Sequence, residues 1–374
     1  MKKMTFREMN LRVFQRKPIA HVLFQPRFEP WYAWHKTFNQ MPPAYANMEI
    51  RDLFDDLQVS MRYIHYYTGV PDPVIRTFDP EVEIIEKIEG RDCDRIYRTP
   101  YGDLHEHQKR TVDEEWRTVV FAAKNVDDLK KLRWLYQHTH YSYSAEFFKI
   151  GSDFIGERGE PQFWLPKSPY QALALNWMKL EHLIYAIADA PHEVEETLKA
   201  IDDSYDPLLE QICQSETVKI INFGENIHEA LFSPRYFERY LLPYYEKRGN
   251  QLKAAGIFSH IHIDGYFTSL LPYLKDLPFD GIEALTPTPQ GDVPLEVIKE
   301  HIGDKILLDG IPAVLFMDTY SREDLLSCAQ QVVDLFYPNL ILGVSDEVPE
   351  GTGQEAIERL RLVSEWCRRW QPPA

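Results

Sequence analysis

The sequence predicts an α/β fold built on a parallel sheet. Three observations carry this expectation. From about residue 160 onward, short apolar runs alternate with amphipathic helical patterns, the rhythm of repeated βα units. Polar and ionisable residues collect where those runs end, as they do at the C-terminal mouth of a barrel. The length of 374 residues fits one α/β barrel as well as two smaller domains. A doubly wound sheet stays open, although no Gly-rich phosphate turn supports it.

In chain order, a first apolar run lies at 19–24. Residues 30–150 then form an elaborated N-terminal region with aromatic clusters around Trp31 and Trp34 and around Tyr63, Tyr66 and Tyr67. Within it, 82–121 reads as hairpins: 82–88 and 95–98 alternate roughly, and Pro100-Tyr101-Gly102-Asp103 is a turn signal. Further strands are expected at 162–165, 218–223, 257–263, 281–285, 305–309 and 339–344. Helices are expected at 170–188, 192–213, 234–254, 294–301, 322–335 and 353–369. Ser233 before Pro234 fits an N-cap with proline at the first helical position. Asp189-Ala190-Pro191 ends one helix and begins the next. Seven strands are visible in this reading, one short of the eight a closed barrel requires. No repeat or linker interrupts the chain, so 1–374 reads as a single domain.

Composition removes several function classes. With 44% hydrophobic and 26% charged residues, wholesale disorder is excluded. A net charge of −17 repels phosphate backbones and anionic lipid, so no nucleic-acid or membrane partner is expected. Cys93, Cys213, Cys328 and Cys367 form no CxxC pair, which argues against a zinc ribbon or redox dithiol. The opening residues lead into no apolar signal segment, and no apolar run approaches the ~20 residues of a spanning helix. A cytoplasmic protein with reduced thiols is therefore expected. Neither a GxSxG elbow, a P-loop nor a GxGxxG turn is present.

The chemistry is sought at strand ends. In Ser259-His260-Ile261-His262-Ile263-Asp264-Gly265, residues two apart share a face, so His260, His262 and Asp264 would line one wall. Imidazole nitrogen and carboxylate oxygen both suit zinc. The competing reading is that one His is hydrogen-bonded in the core and Asp264 caps a helix. Glu225 and His228 follow the 218–223 run, where a barrel keeps its loop residues. Glu283 lies inside a short apolar run, where a carboxylate is costly unless a metal or an internal salt bridge holds it. Asp309 and Asp346 end later runs. Arg27 could fork a substrate carboxylate, and Trp31 could wall an aromatic pocket or simply pack.

The segments Asn222-Phe223-Gly224-Glu225-Asn226-Ile227-His228, Phe232 to Pro243, His262-Ile263-Asp264-Gly265 and Pro287 to Asp292 resemble the uroporphyrinogen decarboxylase superfamily over roughly 160–370. The opening Met4-Thr5-Phe6-Arg7-Glu8 and the Thr99-Pro100-Tyr101-Gly102 turn resemble it more weakly. The resemblance implies a (β/α)8 TIM barrel with an N-terminal extension of helices and β-hairpins, often a homodimer. True decarboxylases of that superfamily carry an Arg-Gln-Ala-Gly-Arg-type motif; here the region reads Gln25-Pro26-Arg27-Phe28-Glu29. The sequence is thus closer to the zinc-dependent methyltransferases that exchange methyl groups with a corrinoid (cobalamin-carrying) protein. His262 matches the His of that branch's His-x-Cys pair, Asp264 replaces its Cys, and Ser345-Asp346 stands near its later Cys. An oxygen-rich site favours a methyl donor with an oxygen leaving group, such as an aromatic methyl ether. The resulting expectation makes His262, Asp264, Glu225 and Glu283 the zinc ligands. His260, His228 and Asp346 are catalytic, and Arg27, Trp31 and Asp309 bind substrate. A decarboxylase of a small or cyclic acid is the alternative, and a non-catalytic binding barrel the third reading.

Overall fold

The computed structural model describes residues 4–112, 114–229 and 231–371, so the expected domain limits, 1 and 374, lie outside the described residues. The N-terminal region opens with the helices Glu29–Thr37 and Ile50–Leu57, and its first strand is β1 (Val74–Phe78). It continues through β2 (Glu83–Glu89), β3 (Asp92–Arg98), β4 (Leu104–Arg110) and β5 (Trp116–Val120), an antiparallel meander. The chain then forms β6 (Thr139–Tyr143), which pairs antiparallel with β1. The meander is where hairpins are expected, and Gly102 takes the left-handed backbone (φ 109°) of its turn.

The remaining strands are β7 (Trp164–Leu165), β8 (Ile220–Phe223), β9 (Phe258–His262), β10 (Gly281–Glu283), β11 (Ile306–Pro312) and β12 (Leu340–Ser345). They form one six-stranded parallel sheet in chain order, each strand beside its successor. β8 through β12 are buried throughout apart from Phe258, which explains why they read as continuous apolar runs.

Both edges of this sheet are bonded to short extended segments. Phe24 bridges Leu342 in parallel, with Gln25 N donating to Leu342 O at 2.8 Å and Leu342 N to Leu23 O at 2.9 Å. On the other edge Tyr63 bridges Gln162, with Ile64 N donating to Gln162 O at 3.0 Å. Ser60 N in turn donates to Phe24 O at 3.0 Å, so the two segments also bond to each other. The expected strand at 19–24 is therefore reduced to a single bridge, and the second segment has no counterpart among the expected strands.

Two expected helices are broken by π-helical turns. The 170–188 helix becomes Pro169–Gln171, the π turn Ala172–Trp177 and Leu180–Asp189. Met178 between them is extended because it bridges Ala123, whose N donates to Trp177 O at 2.9 Å. The 234–254 helix loosens to a π turn at Phe237–Leu241 just before Pro243, which has no N–H to continue the ladder. Its start is as expected: Ser233 Oγ accepts from Tyr236 N at 3.3 Å with Pro234 in the first turn.

The helix Phe6–Phe14 closes the N-terminal end of the sheet. Its Met9, Val13 and Phe14 pack with Leu23, Ile220, Ile306, Leu308 and Ile341, among them the first residues of β8 and β11. The C-terminal strand ends are left for the polar residues. No helix among the described residues is long and apolar enough to cross a membrane.

Candidate active site

The strand ends deliver an unusual number of charges to a buried space. At the centre is Glu283, the last residue of β10 and fully buried. Its Oε1 is ion-paired with Arg62 Nη1 at 2.9 Å and Arg27 Nη1 at 3.1 Å. Its Oε2 accepts from Tyr63 OH and Asn222 Nδ2, and His260 Nδ1 lies 3.1 Å away. Burial alone would raise the Glu283 pKa, but Arg62 and Arg27, helped by His260 and His262, hold it well below the usual carboxylate range. Of the two roles open to this residue in the sequence, the internal salt bridge is the one formed.

Asp309, also fully buried, accepts from Arg62 Nη2 at 2.7 Å. Burial pushes its pKa up, and Arg62 opposes this. Gly343 makes room for it: a Cβ there would meet Asp309 Oδ1 at 2.4 Å. Asp309 and Asp346 both take left-handed backbone, φ 87° and 72°, an arrangement often found where strand ends are shaped for function.

Beyond this inner layer lies a cavity of ≈ 500 Å3. Of the ten expected site residues, it is lined by Arg27, Glu225, His262, Asp264 and Asp346. It opens to solvent at Asp346, whose side chain is 49% exposed. Arg27 is fixed there: Nε donates to Asp346 O at 2.6 Å and Nη2 to Asp346 Oδ1 at 2.8 Å. His262 stands between two carboxylates, Nδ1 3.5 Å from Glu283 Oε1 and Nε2 3.9 Å from Asp346 Oδ1. Glu225 accepts from Ser168 N at 2.7 Å and Ser168 Oγ at 3.1 Å, and burial pushes its carboxyl up to about 7. Burial likewise raises Asp264, and its Oδ1 is a buried acceptor without a hydrogen-bond partner among the described residues.

The other expected residues stand off the cavity wall. His260 is fully buried, with Nε2 2.7 Å from Gln162 Oε1, the core role its sequence allowed. Trp31 is fully buried, donates to Thr352 O and packs on His35 with ring centroids 4.0 Å apart. His228 sits outside the cavity, its ring 5.5 Å from that of Tyr266. It lies against Gly265, where a Cβ would come within 2.2 Å of His228 Cδ2 and where φ is +65°. The sharp exit expected at Gly265 is there, and only glycine fits it.

The four residues expected to bind zinc do not converge. No three of them bring one ligand atom each within 4.8 Å of one another; among the described residues Asp79, Glu81 and His138 alone do so. Arg27 and Lys167 also bring positive charge to the same wall. As arranged, the donor set does not fit a zinc ion.

Sequence reasoning missed Lys167, Trp164 and Arg62. Lys167 Nζ donates to Gly224 O at 3.0 Å and to Asn226 Oδ1, and burial lowers its pKa against the pull of Glu225 and Asp264. It lies two residues past the end of β7, so the strand-end rule reaches it. Arg62 carried no such signal, because its strand-like segment was not recognisable.

No family model matches the chain, and no curated protein matches it either. Among solved structures it is similar to a methyltransferase from Methanosarcina mazei, with a TM-score of 0.59 and 12% identity over 97% of this chain and 99% of that one. It also matches a B12-independent methionine synthase from a Shewanella species, with a TM-score of 0.46 and 12% identity over 85% of each chain. At such identity the first likeness speaks for the fold alone, and the second carries no argument.

Proposed function

We propose that this chain is a methyltransferase that binds a small polar methyl donor at the mouth of an eight-staved α/β barrel. The segments around Phe24 and Tyr63 would complete the ring, since each is bonded to one edge of the six-stranded sheet and to the other. The observation that carries the chemistry is a pair of carboxyls on the cavity wall, Glu225 buried and Asp264 half-buried. Asp264 has an oxygen without a hydrogen-bond partner among the described residues, and burial pushes the Glu225 carboxyl up to about 7.

A carboxyl that keeps its proton near pH 7 can act as general acid. In the proposed reaction the methyl–oxygen bond of the donor breaks, its electron pair stays on the oxygen, and Glu225 supplies the proton that neutralises it, with Asp264 lining the same space. Lys167 and His262 flank the same space and would orient the donor. The acceptor we assign is a corrinoid carried by a separate protein, which would supply a low-valent cobalt nucleophile. The solvent-open end of the cavity at Asp346 supports this, because it leaves the methyl group reachable from outside. A homodimer, implied by the family resemblance, belongs to the same proposal.

The alternative, a carboxy-lyase gripping its substrate through Arg27, is less well supported. Arg27 already contacts Glu283 and Asp346 and would have to release one of them. The test is a panel of methyl ethers, amines and thioethers offered with cob(I)alamin, following loss of the cob(I)alamin absorbance. Donor-dependent loss is expected. No loss with any donor, together with carbon dioxide release from a carboxylic acid, would replace this reading with the lyase.

A further inference from the structure

A second cavity of ≈ 290 Å3 lies between the antiparallel meander and the helices, and among the described residues Lys167 alone lines both it and the mouth. Arg76 projects into it from β1, opposite Tyr141 on β6. Its guanidinium carbon is 5.7 Å from the Trp177 ring and 5.8 Å from each of Tyr136 and Tyr141. Tyr97 and Tyr205 complete the aromatic wall. The π-helical turn Ala172–Trp177 swings Trp177 to this place, and Trp177 Nε1 is held by Tyr136 OH at 2.8 Å.

The charges around this space do not cancel. Arg95 is paired with Glu86 and, at 3.0 Å, with Glu106. Glu106 also accepts from Gln108 and Thr118, so its charge is fully used. The Arg76 side chain, by contrast, makes no ion pair and no hydrogen bond among the described residues; it lies against rings alone, and it is exposed to the cavity. In a chain with 58 acidic against 41 basic residues, a guanidinium that faces a cavity whose one lining acid, Glu106, is paired with Arg95 is not a consequence of composition.

We propose that this cavity binds a small planar carboxylate, with the carboxylate on Arg76 and its flat body between the tyrosines and Trp177. A guanidinium matches a carboxylate through two parallel N–H bonds, and aromatic walls favour a ring over a compact ion. The volume is at the small end of ligand pockets, roughly 300–1,000 Å3, and suits one ring with its substituent. The proposal is independent of the methyl-transfer reading.

The test is calorimetric titration of the full chain with benzoate, with cyclohexanecarboxylate and inorganic phosphate as comparisons. Saturable benzoate binding is expected, weakened about tenfold or more by Arg76→Gln and partly kept by Arg76→Lys. Should Arg76→Gln not fold, benzoate protection of Arg76 from phenylglyoxal, read by peptide mass spectrometry on the unaltered protein, decides the same point. The proposal is overturned if benzoate does not saturate at millimolar concentration, if Arg76→Gln binds as well, if Arg76 is not protected, or if phosphate competes as strongly as benzoate.

Discussion

Replacing Arg62 by methionine tests whether the inner charge layer holds the parallel sheet and its edge segments together. Arg62 is 1% exposed and is ion-paired with both Glu283 and Asp309. Glu283 keeps Arg27, Tyr63 and Asn222 when Arg62 is lost, but Asp309 has no other cation within bonding distance among the described residues. Breaking a buried pair from one side leaves an uncompensated charge and costs about 3–5 kcal/mol. That is roughly a hundred- to several-thousand-fold in the folding equilibrium. The assay is urea unfolding at pH 7, with the midpoint falling and the slope unchanged. Asp309→Asn in the Arg62→Met background should recover part of the loss, a coupling of about 1–3 kcal/mol. A loss below about 1 kcal/mol, or two losses that simply add, would refute the reasoning.

Glu225→Gln should stabilise the protein at pH 8 by up to about 3 kcal/mol, from a carboxyl raised to about 7. The sign follows from the raised pKa: the native state holds the proton, so wild-type stability falls as pH rises from the unfolded value toward 7, and the gain should vanish near pH 4. Unfolding midpoints across that range check it. Glu283 behaves oppositely. Held low by its arginines, it contributes above its unfolded pKa, and that contribution is lost in acid as pH falls through its folded value. Gly265→Ala should cost about 1–3 kcal/mol, read as a lowered melting temperature, because it forces a left-handed alanine against His228. Elemental analysis of protein purified without chelator should find no stoichiometric zinc that Asp264→Asn removes; zinc lost with that change would restore the metal site.

The parallel sheet was legible because buried strands read as apolar runs whatever they pair with. The segment around Tyr63 was not. Residues Val59 to Ile64 are all buried, yet Ser60 and Arg62 among them are polar. Burying Arg62 makes sense only once Asp309 and Glu283, more than 200 positions away, are known to meet it. The same blindness shaped the site. Strand-end position found Arg27, Glu225, His262, Asp264 and Asp346 on the cavity wall. It could not separate them from His260, Glu283 and Asp309, which lie just inside and are held by Gln162, Arg27 and Arg62 from segments outside the strands. Trp31 was misleading for a simpler reason: an aromatic on a short helix faces core or cavity according to packing that no local pattern records.

The most direct test of the proposed acid is the rate of cob(I)alamin consumption with one accepted methyl donor, compared between wild type, Asp264→Asn and Glu225→Gln. General-acid catalysis predicts that Glu225→Gln loses about 10²–10⁴-fold in rate while remaining folded. A wild-type rate in folded Glu225→Gln would contradict the account.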